Sequence, residues 1–326
     1  MSKINLGIDL GSYQTVIFRE GKGIVLTEPN KVLCESTDGE VIVRAFGNKA
    51  IKQTGEQFIV SPIMQGEIVD ENYARLMLKN FIKCVIVDKP KATVNAFISL
   101  PCGISSEQKQ KYYNLAYSVG ISTIKFIPTP IADLLGCGIS FDDFENCILV
   151  DIGQALTDIA ILGKGRIVDG ITINQGTANI DYAIISQVQA KFGVKIGNEA
   201  VKTLKEQIGT LLPDGTRNLT FTGTDMNLNV PKTIKIASID ILEPLREFYQ
   251  FFSQNIMELL SQQDRLVINN IIAQGVIFCG SGSKVEGLKD FMQSNLNLPV
   301  FVASGERRVL GLSKVFYRKN LLKQYN

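Results

Sequence analysis

The sequence predicts an α/β protein built from two duplicated lobes. Strand-like and helix-like segments alternate along much of its 326 residues, which is typical of α/β layers. The chain also exceeds the usual size of a single hydrophobic core. The clearest sign of duplication is a repeated motif, Asp-x-Gly-x-x-x-Thr at the end of an apolar run, which occurs in "GIDLGSYQTVIF" at 7–18 and in "DIGQALTDIAIL" at 151–162.

The first lobe is predicted to open with a meander of short strands and to continue with helices between strands. Glycine turns and Pro29 separate the strands, and residues 30–62 add strands, turns and a brief helical patch. Asp70 and Ser105 are candidate N-caps of two helices. The expected segments are strands at 4–11, 14–20, 24–29, 92–101 and 122–128, and helices at 71–86, 105–120 and 130–138.

From Cys147 the pattern restarts with three strands and a helix, which predicts the second lobe. The expected segments are strands at 147–153, 157–165 and 166–174, helices at 178–193 and 197–209, two strands within 217–236, and a long helix at 238–262. The stretch "GVIFCGSGSKVEGLKDFMQSNLNLPVFVA" predicts a strand, a glycine-rich turn, a helix and a strand. A last helix is expected at 306–323.

Composition and charge exclude several classes of protein. The net charge is +2, the isoelectric point is near 8.1 and no long run of Lys and Arg occurs, so we expect no nucleic-acid partner. The sequence contains no histidine, which excludes triad hydrolases and histidine-ligated zinc sites. No apolar stretch approaches the roughly 20 residues that a bilayer-spanning helix needs.

The cysteines indicate a reducing compartment. They lie in apolar segments without a C-x-x-C pair, and nothing at the start of the chain resembles a signal peptide. We therefore expect a cytoplasmic protein in which the thiols act as small buried hydrophobic groups. They are Cys34, Cys84, Cys102, Cys137, Cys147 and Cys279.

The two repeated turns are suited to binding an anion. A glycine turn exposes backbone N–H groups, because no Cβ blocks the approach of the ligand. Two such turns facing each other would hold a polyphosphate, and Asp9 and Asp151 at the strand ends would hold Mg²⁺ through water. The alternative is two unrelated hairpins with polar tips. A third glycine turn, "CGSGS" at 279–283, opens a helix and favours the phosphate-binding interpretation.

Several stretches resemble the actin-like ATPases, and in particular the bacterial actin family MreB. They cover nearly the whole chain in order: "GIDLGSYQTVIFREGKGIVLTEPN", "GNKAIKQTGEQFIVSPIMQGEIVDENYARLMLKNFI", "SLPCGISSEQKQ", "VDIGQALTDIAILGKGRIV", "VKIGNEAVKTLKEQIG" and "IIAQGVIFCGSGSKVEGL". The resemblance implies the actin-like fold, in which two duplicated ribonuclease-H-like lobes each carry a smaller subdomain and a nucleotide cleft lies between them. It implies subdomain IA at 1–28, 63–141 and 309–326, IB at 29–62, IIA at 142–176 and 239–308, and IIB at 177–238.

The resemblance also implies ATP and Mg²⁺ as ligands and assigns residues to them. Asp9 and Asp151 match the two acidic residues around the magnesium. The residues matched to the nucleotide are Ser12, Tyr13 and Gln14 in the first phosphate loop, Gly153, Gln154 and Ala155 in the second, Gly176 before the second-lobe helix, Lys202, Thr203, Leu204 and Lys205 beside the adenosine, and Gly280, Ser281, Gly282 and Ser283 around the base.

The motifs depart from the family pattern at positions that concern hydrolysis. Where MreB proteins usually read Asp-Ile-Gly-Gly-Gly-Thr-Thr, this chain has Gln154, Ala155 and Leu156 in place of two glycines and a threonine. Thr129 stands where the family's water-orienting glutamate is expected, and Lys202 replaces another glutamate. We therefore expect slow ATP hydrolysis. Asp133, one helical turn after Thr129, is the alternative carboxylate for this role.

The resulting hypothesis is a cytoplasmic, ATP-binding bacterial actin that forms filaments for cell shape or force generation. The expected partners are further copies of the chain in paired protofilaments, and an anionic membrane surface contacted by residues 81–87 or 317–326. The alternatives are a small-molecule kinase of the same superfamily, a nucleotide-gated chaperone of the heat-shock type, and an adaptor or pseudoenzyme that binds nucleotide without turnover. A kinase needs a catalytic carboxylate facing an acceptor, and the chaperone needs a further peptide-binding domain.

Overall fold

In the computed structural model the apolar runs of the sequence form two five-stranded sheets, within a chain described at residues 2–213, 216–303 and 308–315. The elements of the first part are β1 (Lys3–Leu10), β2 (Gln14–Arg19), β3 (Gly23–Pro29), β4 (Val32–Thr37), β5 (Glu40–Phe46), β6 (Gln57–Val60), β7 (Ile63–Met64), β8 (Glu67–Ile68), α1 (Glu71–Val85), β9 (Thr93–Leu100), α2 (Ser106–Ser118), β10 (Ile121–Pro128) and α3 (Thr129–Gly136).

The second part repeats this alternation. Its elements are β11 (Cys147–Ile152), β12 (Thr157–Gly163), β13 (Arg166–Ile173), α4 (Thr177–Phe192), β14 (Val194–Lys195), α5 (Asn198–Ile208), β15 (Asn218–Asp225), β16 (Pro231–Ala237), α6 (Leu242–Ser261), α7 (Arg265–Gln274), β17 (Val276–Cys279), α8 (Leu288–Leu296), β18 (Val300–Val302) and α9 (Arg308–Val315).

The two large sheets have the same topology. Their strand orders are β3-β2-β1-β9-β10 and β13-β12-β11-β17-β18. In each sheet the first three strands lie side by side, and two later strands are added next to the first one. The added strands run parallel: β1 pairs with β9 and β9 with β10, while β11 pairs with β17 and β17 with β18. The shared topology confirms the predicted α/β fold with duplicated lobes.

Burial explains why the strands pair in this way. β2 alternates between buried and half-buried residues, as expected of a strand with one face on the core. Every residue of β11 and β12 is buried, which is typical of strands covered on both faces. At the start of α1 the Asp70 carboxylate accepts a hydrogen bond from the N–H of Tyr73 at 2.9 Å, which confirms Asp70 as an N-cap.

The described chain divides into two compact units. The first contains residues 2–143, 162–174 and 308–315, and the second contains residues 144–161, 175–213 and 216–303. The finer division into four subdomains stays a prediction.

One helix was not predicted from the sequence. α7 is capped by the Asp264 carboxylate, which accepts from the N–H of Val267 at 3.0 Å. Within α7 only Ile271 is buried, whereas Leu266 and Ile272 are more than half exposed. The Asp264 cap is the local sequence signal that marks the start of this helix. The helix expected at 306–323 is confirmed over α9 (Arg308–Val315), and residues 306, 307 and 316–323 lie outside the described residues.

The prediction that the cysteines are buried is wrong for part of the set. Cys34, Cys147 and Cys279 are buried, Cys84 is exposed, and Cys102 and Cys137 are intermediate. Cys84 follows an apolar run in sequence, but it points outward from the last turn of α1. Burial raises the pKa of the Cys147 thiol to about 12.

The segment 81–87, one of the two expected membrane contacts, is largely the end of a core helix. Phe81, Ile82 and Val85 are buried, and Val87 is the exposed apolar side chain of the segment. The other expected contact, 317–326, lies outside the described residues. Among the residues that the structure describes, no helix combines the length and apolar character needed to cross a bilayer.

Helix α9 packs with almost no clearance against α3 and β1. A Cβ on Gly311 would lie 1.7 Å from the carbonyl oxygen of Ala132, and a Cβ on Gly7 would lie 3.0 Å from the Cβ of Leu312. The Nζ of Lys314 donates to the carbonyl of Leu135 at 2.8 Å. The lateral position of α9 is therefore set by direct contact with the backbone of α3.

We predict that Gly311→Ala lowers the free energy of unfolding by about 3 kcal/mol, at the upper end of overpacking costs, because a backbone atom blocks the new methyl group. Alanine would otherwise favour a helix by about 1 kcal/mol, so the sign of the change is diagnostic. Urea denaturation measures it. Gly197→Ala is the control, because a Cβ at Gly197 meets no atom within 4 Å. This change only weakens the N-cap of α5, which should lower the free energy of unfolding by at most about 1 kcal/mol. A Gly311→Ala protein as stable as the wild type would contradict this packing.

Candidate functional site

The turn between β1 and β2 is closed by a backbone hydrogen bond in which the N–H of Gly11 donates to the carbonyl of Gln14 at 3.1 Å. At its tip the Ser12 hydroxyl accepts from the N–H of Gly66 at 2.7 Å. Tyr13 is 52% exposed, so the tip of the turn is open to solvent. The structure thus brings Ser12, Tyr13 and Gln14 together in one turn.

Thr15 and Asn30 hold this turn from the inside. Both residues are fully buried, and Thr15 Oγ1 donates to Asn30 Oδ1 at 2.5 Å. Asn30 Nδ2 donates to the carbonyl oxygen of Gly11, and the Asn30 N–H donates to the carbonyl of Tyr13 at 2.8 Å. In a trans peptide the carbonyl and the next N–H point in opposite directions. The N–H of Ser12 therefore points away from Asn30.

The turn between β11 and β12 repeats this arrangement. The N–H of Gly153 donates to the carbonyl of Leu156 at 2.9 Å. The buried Thr157 Oγ1 donates to the carbonyl of Gln175 at 2.8 Å, just beyond the third strand of its sheet, as Thr15 does to Asn30. The threonine of the repeated motif is thus structural in both copies, because it joins each turn to the segment just beyond the third strand of its sheet.

The second turn is held by backbone groups where the first is held by a side chain. At the start of α4 the N–H of Thr177 donates to the carbonyl of Gly153, and the N–H of Ala178 donates to the carbonyl of Gln154, both at 3.0 Å. By the same peptide geometry, the N–H groups of Gln154 and Ala155 point away from α4. Gly176 is required here, since a Cβ would lie 2.4 Å from the Gln154 carbonyl oxygen.

These outward N–H groups fit the chemistry of an anion. In the described part of the chain, the N–H groups of Ser12, Gln154 and Ala155 donate to no backbone oxygen of a turn or loop. Each turn lies within a few residues of a carboxylate at the end of its preceding strand. A set of N–H donors beside carboxylate oxygens suits a phosphate that is bound together with a hard divalent cation.

The two strand-end carboxylates lie in different surroundings. Asp9 accepts from the Ser99 hydroxyl of β9 at 2.9 Å, and its side chain is 19% exposed. Asp151 is buried and lies beside the third glycine turn, where a Cβ on Gly280 would approach its Oδ1 to 2.4 Å. Gly280 has φ +82°, so glycine is needed at this position for both reasons.

The third glycine turn continues into a short 3-10 helix at Ser281–Lys284. Within it the Ser283 hydroxyl donates to the carbonyl of Gly280 at 2.9 Å, and the Tyr249 hydroxyl donates to the carbonyl of Gly282 at 2.6 Å. Burial raises the pKa of Tyr249, which keeps this phenol protonated as a donor. A buried tyrosine of α6 therefore supports the turn that was predicted to hold the base.

A similar phenol supports the first turn. Tyr112 donates to the carbonyl of Gly66 at 3.0 Å, while the N–H of Gly66 donates to Ser12. The pKa of Tyr112 is raised first by burial and further by the negative charge of Asp9. Gly66 is thus fixed from both sides, and this orders the hydroxyl of Ser12.

The residues predicted to border the adenosine lie on α5, where their side chains differ in exposure. Leu204 is fully buried and belongs to the core, whereas Lys202 is exposed. Lys205 forms an ion pair with Asp181 of α4, and the Thr203 hydroxyl donates to the carbonyl of Glu199 at 2.9 Å. The surface of α5 therefore offers Lys202 as the outward group of this set.

Two of the positions predicted to govern hydrolysis are buried on α3, whereas the third, Leu156, is partly buried in the turn between β11 and β12. Thr129 is 5% exposed, and the Asp133 side chain is 8% exposed. Asp133 accepts from Arg308 of α9, at 2.9 Å from Nε and 3.2 Å from Nη2. The Nη1 of Arg308 also donates to both oxygens of Asp9, each at 3.2 Å. One guanidinium thus bridges two predicted site residues.

Several residues of the candidate site were not predicted from the sequence. Arg308 is remote from Asp9 in sequence and carries no motif, and Ser99 and Asn30 are single polar residues at strand ends. Thr15 and Thr157 were visible as part of the repeat, but the repeat gave no sign of what they bond.

Comparisons with known proteins identify a matching family and several similar proteins. A family model described as MreB/Mbl protein matches residues 3–321. The cell shape-determining protein Mbl of Bacillus subtilis (strain 168) is 29% identical over 304 residues, which cover 92% of this chain and 91% of that protein. A crystal structure of MreB5 of Spiroplasma citri bound to ADP superposes with a TM-score of 0.89 at 23% identity, covering 99% of both chains. The MamK double helical filament gives a TM-score of 0.81 at 18% identity, covering 97% of this chain and 99% of that one.

Proposed function

Because the MreB/Mbl family model matches nearly its whole length, the chain belongs to the MreB/Mbl family, and we propose that it is an ATP-binding bacterial actin that polymerises into filaments for cell shape or force generation. The observation that carries the proposal is the paired set of glycine turns, each with outward N–H groups beside a strand-end carboxylate. The similar proteins support it: one is a cell shape-determining protein, one is a double helical filament and one is bound to ADP.

In the proposed mechanism the two turns bind the phosphates of ATP. The N–H groups of Ser12, Gln154 and Ala155 donate to phosphate oxygens, and glycine at position 176 lets the second turn pack against α4. Asp9 and Asp151 are the proposed holders of Mg²⁺, which would offset the negative charge of the phosphates. Gly280 to Ser283 and the outward side chain of Lys202 are the proposed surroundings of the base and ribose.

Hydrolysis is proposed to be slow, because the residues that would position water are poorly suited to it. Thr129 is buried and carries no charge, and Leu156 offers no hydroxyl. Both oxygens of Asp133 are engaged by Arg308, so this carboxylate is occupied as a hydrogen-bond acceptor. These observations also favour a second candidate function, a nucleotide-binding adaptor without turnover.

Electron microscopy of the purified protein with ATP, with ADP and without nucleotide tests polymerisation. We expect filaments with ATP, since the family assignment implies a nucleotide-dependent polymer. Filaments would also eliminate the small-molecule kinase alternative, because such an enzyme acts without a polymer. Particles that stay monomeric in all three conditions would contradict the proposed filament.

Asp9→Ala should weaken Mg-ATP binding by roughly tenfold or more, because the carboxylate is proposed to act on the ion. The fold should persist, since Arg308 keeps its two hydrogen bonds to Asp133. Calorimetric titration measures the affinity and circular dichroism checks the fold. The control is Glu107→Ala on α2, whose carboxylate is 78% exposed. Unchanged ATP affinity in Asp9→Ala would remove the cation-holding assignment.

The ATPase should be slower than that of ordinary family members, on the order of tenfold or more, because the water-orienting group is missing. Phosphate release is to be measured for the wild type, Thr129→Glu, Leu156→Thr and Asp133→Ala. A slow wild type accelerated by Thr129→Glu is the expected result. A fast wild type that Asp133→Ala silences would instead assign the orienting role to Asp133.

Membrane contact is proposed for the segment 317–326, in which Arg318, Lys319 and Lys323 accompany Leu321 and Leu322. In sedimentation with anionic liposomes, we expect a larger fraction of the full chain to pellet than of a variant that lacks residues 317–326. Neutral liposomes are the control for the electrostatic part. Equal pelleting of both proteins would dismiss this segment as an anchor.

A further inference from the structure

Arg308 stands between two carboxylates that were assigned to different tasks. Its Nη1 donates to both oxygens of Asp9 at 3.2 Å, while Nε and Nη2 donate to the two oxygens of Asp133 at 2.9 and 3.2 Å. The arrangement towards Asp133 is the two-pronged geometry that a guanidinium forms with a carboxylate. Arg308 therefore has a stronger anchor on Asp133 and a second, separable contact on Asp9.

The three side chains are largely withdrawn from solvent. Their exposed fractions are 22% for Arg308, 19% for Asp9 and 8% for Asp133. Water screens such a cluster less than a surface ion pair, so the attraction between its members is stronger. In the contacts described, one guanidinium thus donates to two carboxylates.

Packing places the guanidinium independently of these ion pairs. Arg308 is the first residue of α9, and one turn later Gly311 touches the backbone of α3 at Ala132. Gly7 of β1, two residues before Asp9, meets Leu312 of the same helix. Since α9 is fixed against the elements that carry both carboxylates, the guanidinium is held where it can reach either one.

We propose that Arg308 is an internal counter-ion that competes with a divalent cation for Asp9. The inference rests on the proposed role of Asp9 as a cation-holding residue. A hard cation needs the oxygen lone pairs of Asp9 that accept from Nη1. When Asp9 binds the cation, Arg308 loses its contact with Asp9. Asp133 still accepts hydrogen bonds from Nε and Nη2, so the guanidinium keeps its position.

The competition links the cation to the C-terminal part of the chain. A cation that draws Asp9 away from Arg308 weakens one of the contacts that hold the start of α9. By thermodynamic reciprocity, firmer packing of α9 lowers the affinity of Asp9 for the cation. Arg308 would thus lower the intrinsic affinity for the divalent cation and make its binding sensitive to the position of α9.

The test measures Mn²⁺ binding without nucleotide, because Mn²⁺ shares the oxygen-ligand preference of Mg²⁺ and its free form is quantified by electron paramagnetic resonance. Arg308→Gln should bind Mn²⁺ about tenfold more tightly than the wild type, the size expected for losing a charge-assisted contact. Arg308→Lys should fall between them, because an ammonium group cannot bridge both carboxylates as the guanidinium does. Arg265→Gln, at an exposed arginine of α7 and outside α9, is the matched control and should bind as the wild type does.

A second variant protects the test against misfolding. Arg308→Gln leaves Asp133 buried without its cation, so Arg308→Gln with Asp133→Asn removes both charges and should show the same gain in Mn²⁺ affinity. Combining Arg308→Gln with Asp9→Asn should abolish the gain. The proposal is overturned if Arg308→Gln gives no gain, if the gain persists without the Asp9 charge, or if neither wild type nor variant binds Mn²⁺. ATP binding is measured in parallel: a wild type that binds Mn²⁺ but not ATP would reject the proposed nucleotide function and leave the competition standing.

Discussion

The carbonyl oxygens of both glycine turns are bonded to the protein, and this constraint fixes the direction of the N–H groups that the proposed function needs. In the first turn Asn30 donates to these carbonyls, and in the second the N–H groups at the start of α4 donate to them. A peptide whose carbonyl is held cannot rotate its N–H towards the interior without losing a hydrogen bond. The fold itself therefore sets the N–H directions that the proposed phosphate contacts need.

The two copies reach this result by different means, which shows how a duplicated fold diverges. A buried side chain needs only one position to be kept, whereas a backbone contact with a helix needs close approach, and hence Gly176. Around Asp151 the same need recurs at Gly280. The second turn thus depends on small residues where the first depends on polar ones.

Much of the architecture could be predicted because it is local. Strand periodicity, the N-cap Asp70 and the repeated motif gave the element order, and the paired sheets confirm the duplication. Helix α7 was not predicted, although Asp264 provides a local N-cap signal for it. The bridge from Arg308 to Asp9 and Asp133 could not be predicted, since it depends on a helix near one end of the chain packing against the first strand. Contacts between residues so far apart in sequence produce no recognisable spacing pattern. Thr15 and Thr157 belong to a repeat that is visible in the sequence, but the repeat does not reveal which groups their hydroxyls bond.

The uneven burial of the cysteines gives the chain a chemical handle. Cys84 is exposed at the end of α1, whereas Cys34, Cys147 and Cys279 are buried, and burial holds the pKa of Cys147 near 12. A maleimide reacts with the thiolate, so at neutral pH it discriminates against a buried thiol twice, through access and through ionisation. With Cys102 and Cys137 replaced by serine, a fluorophore could be attached to a single position on the first unit, and subunit association could then be followed by energy transfer between labelled copies.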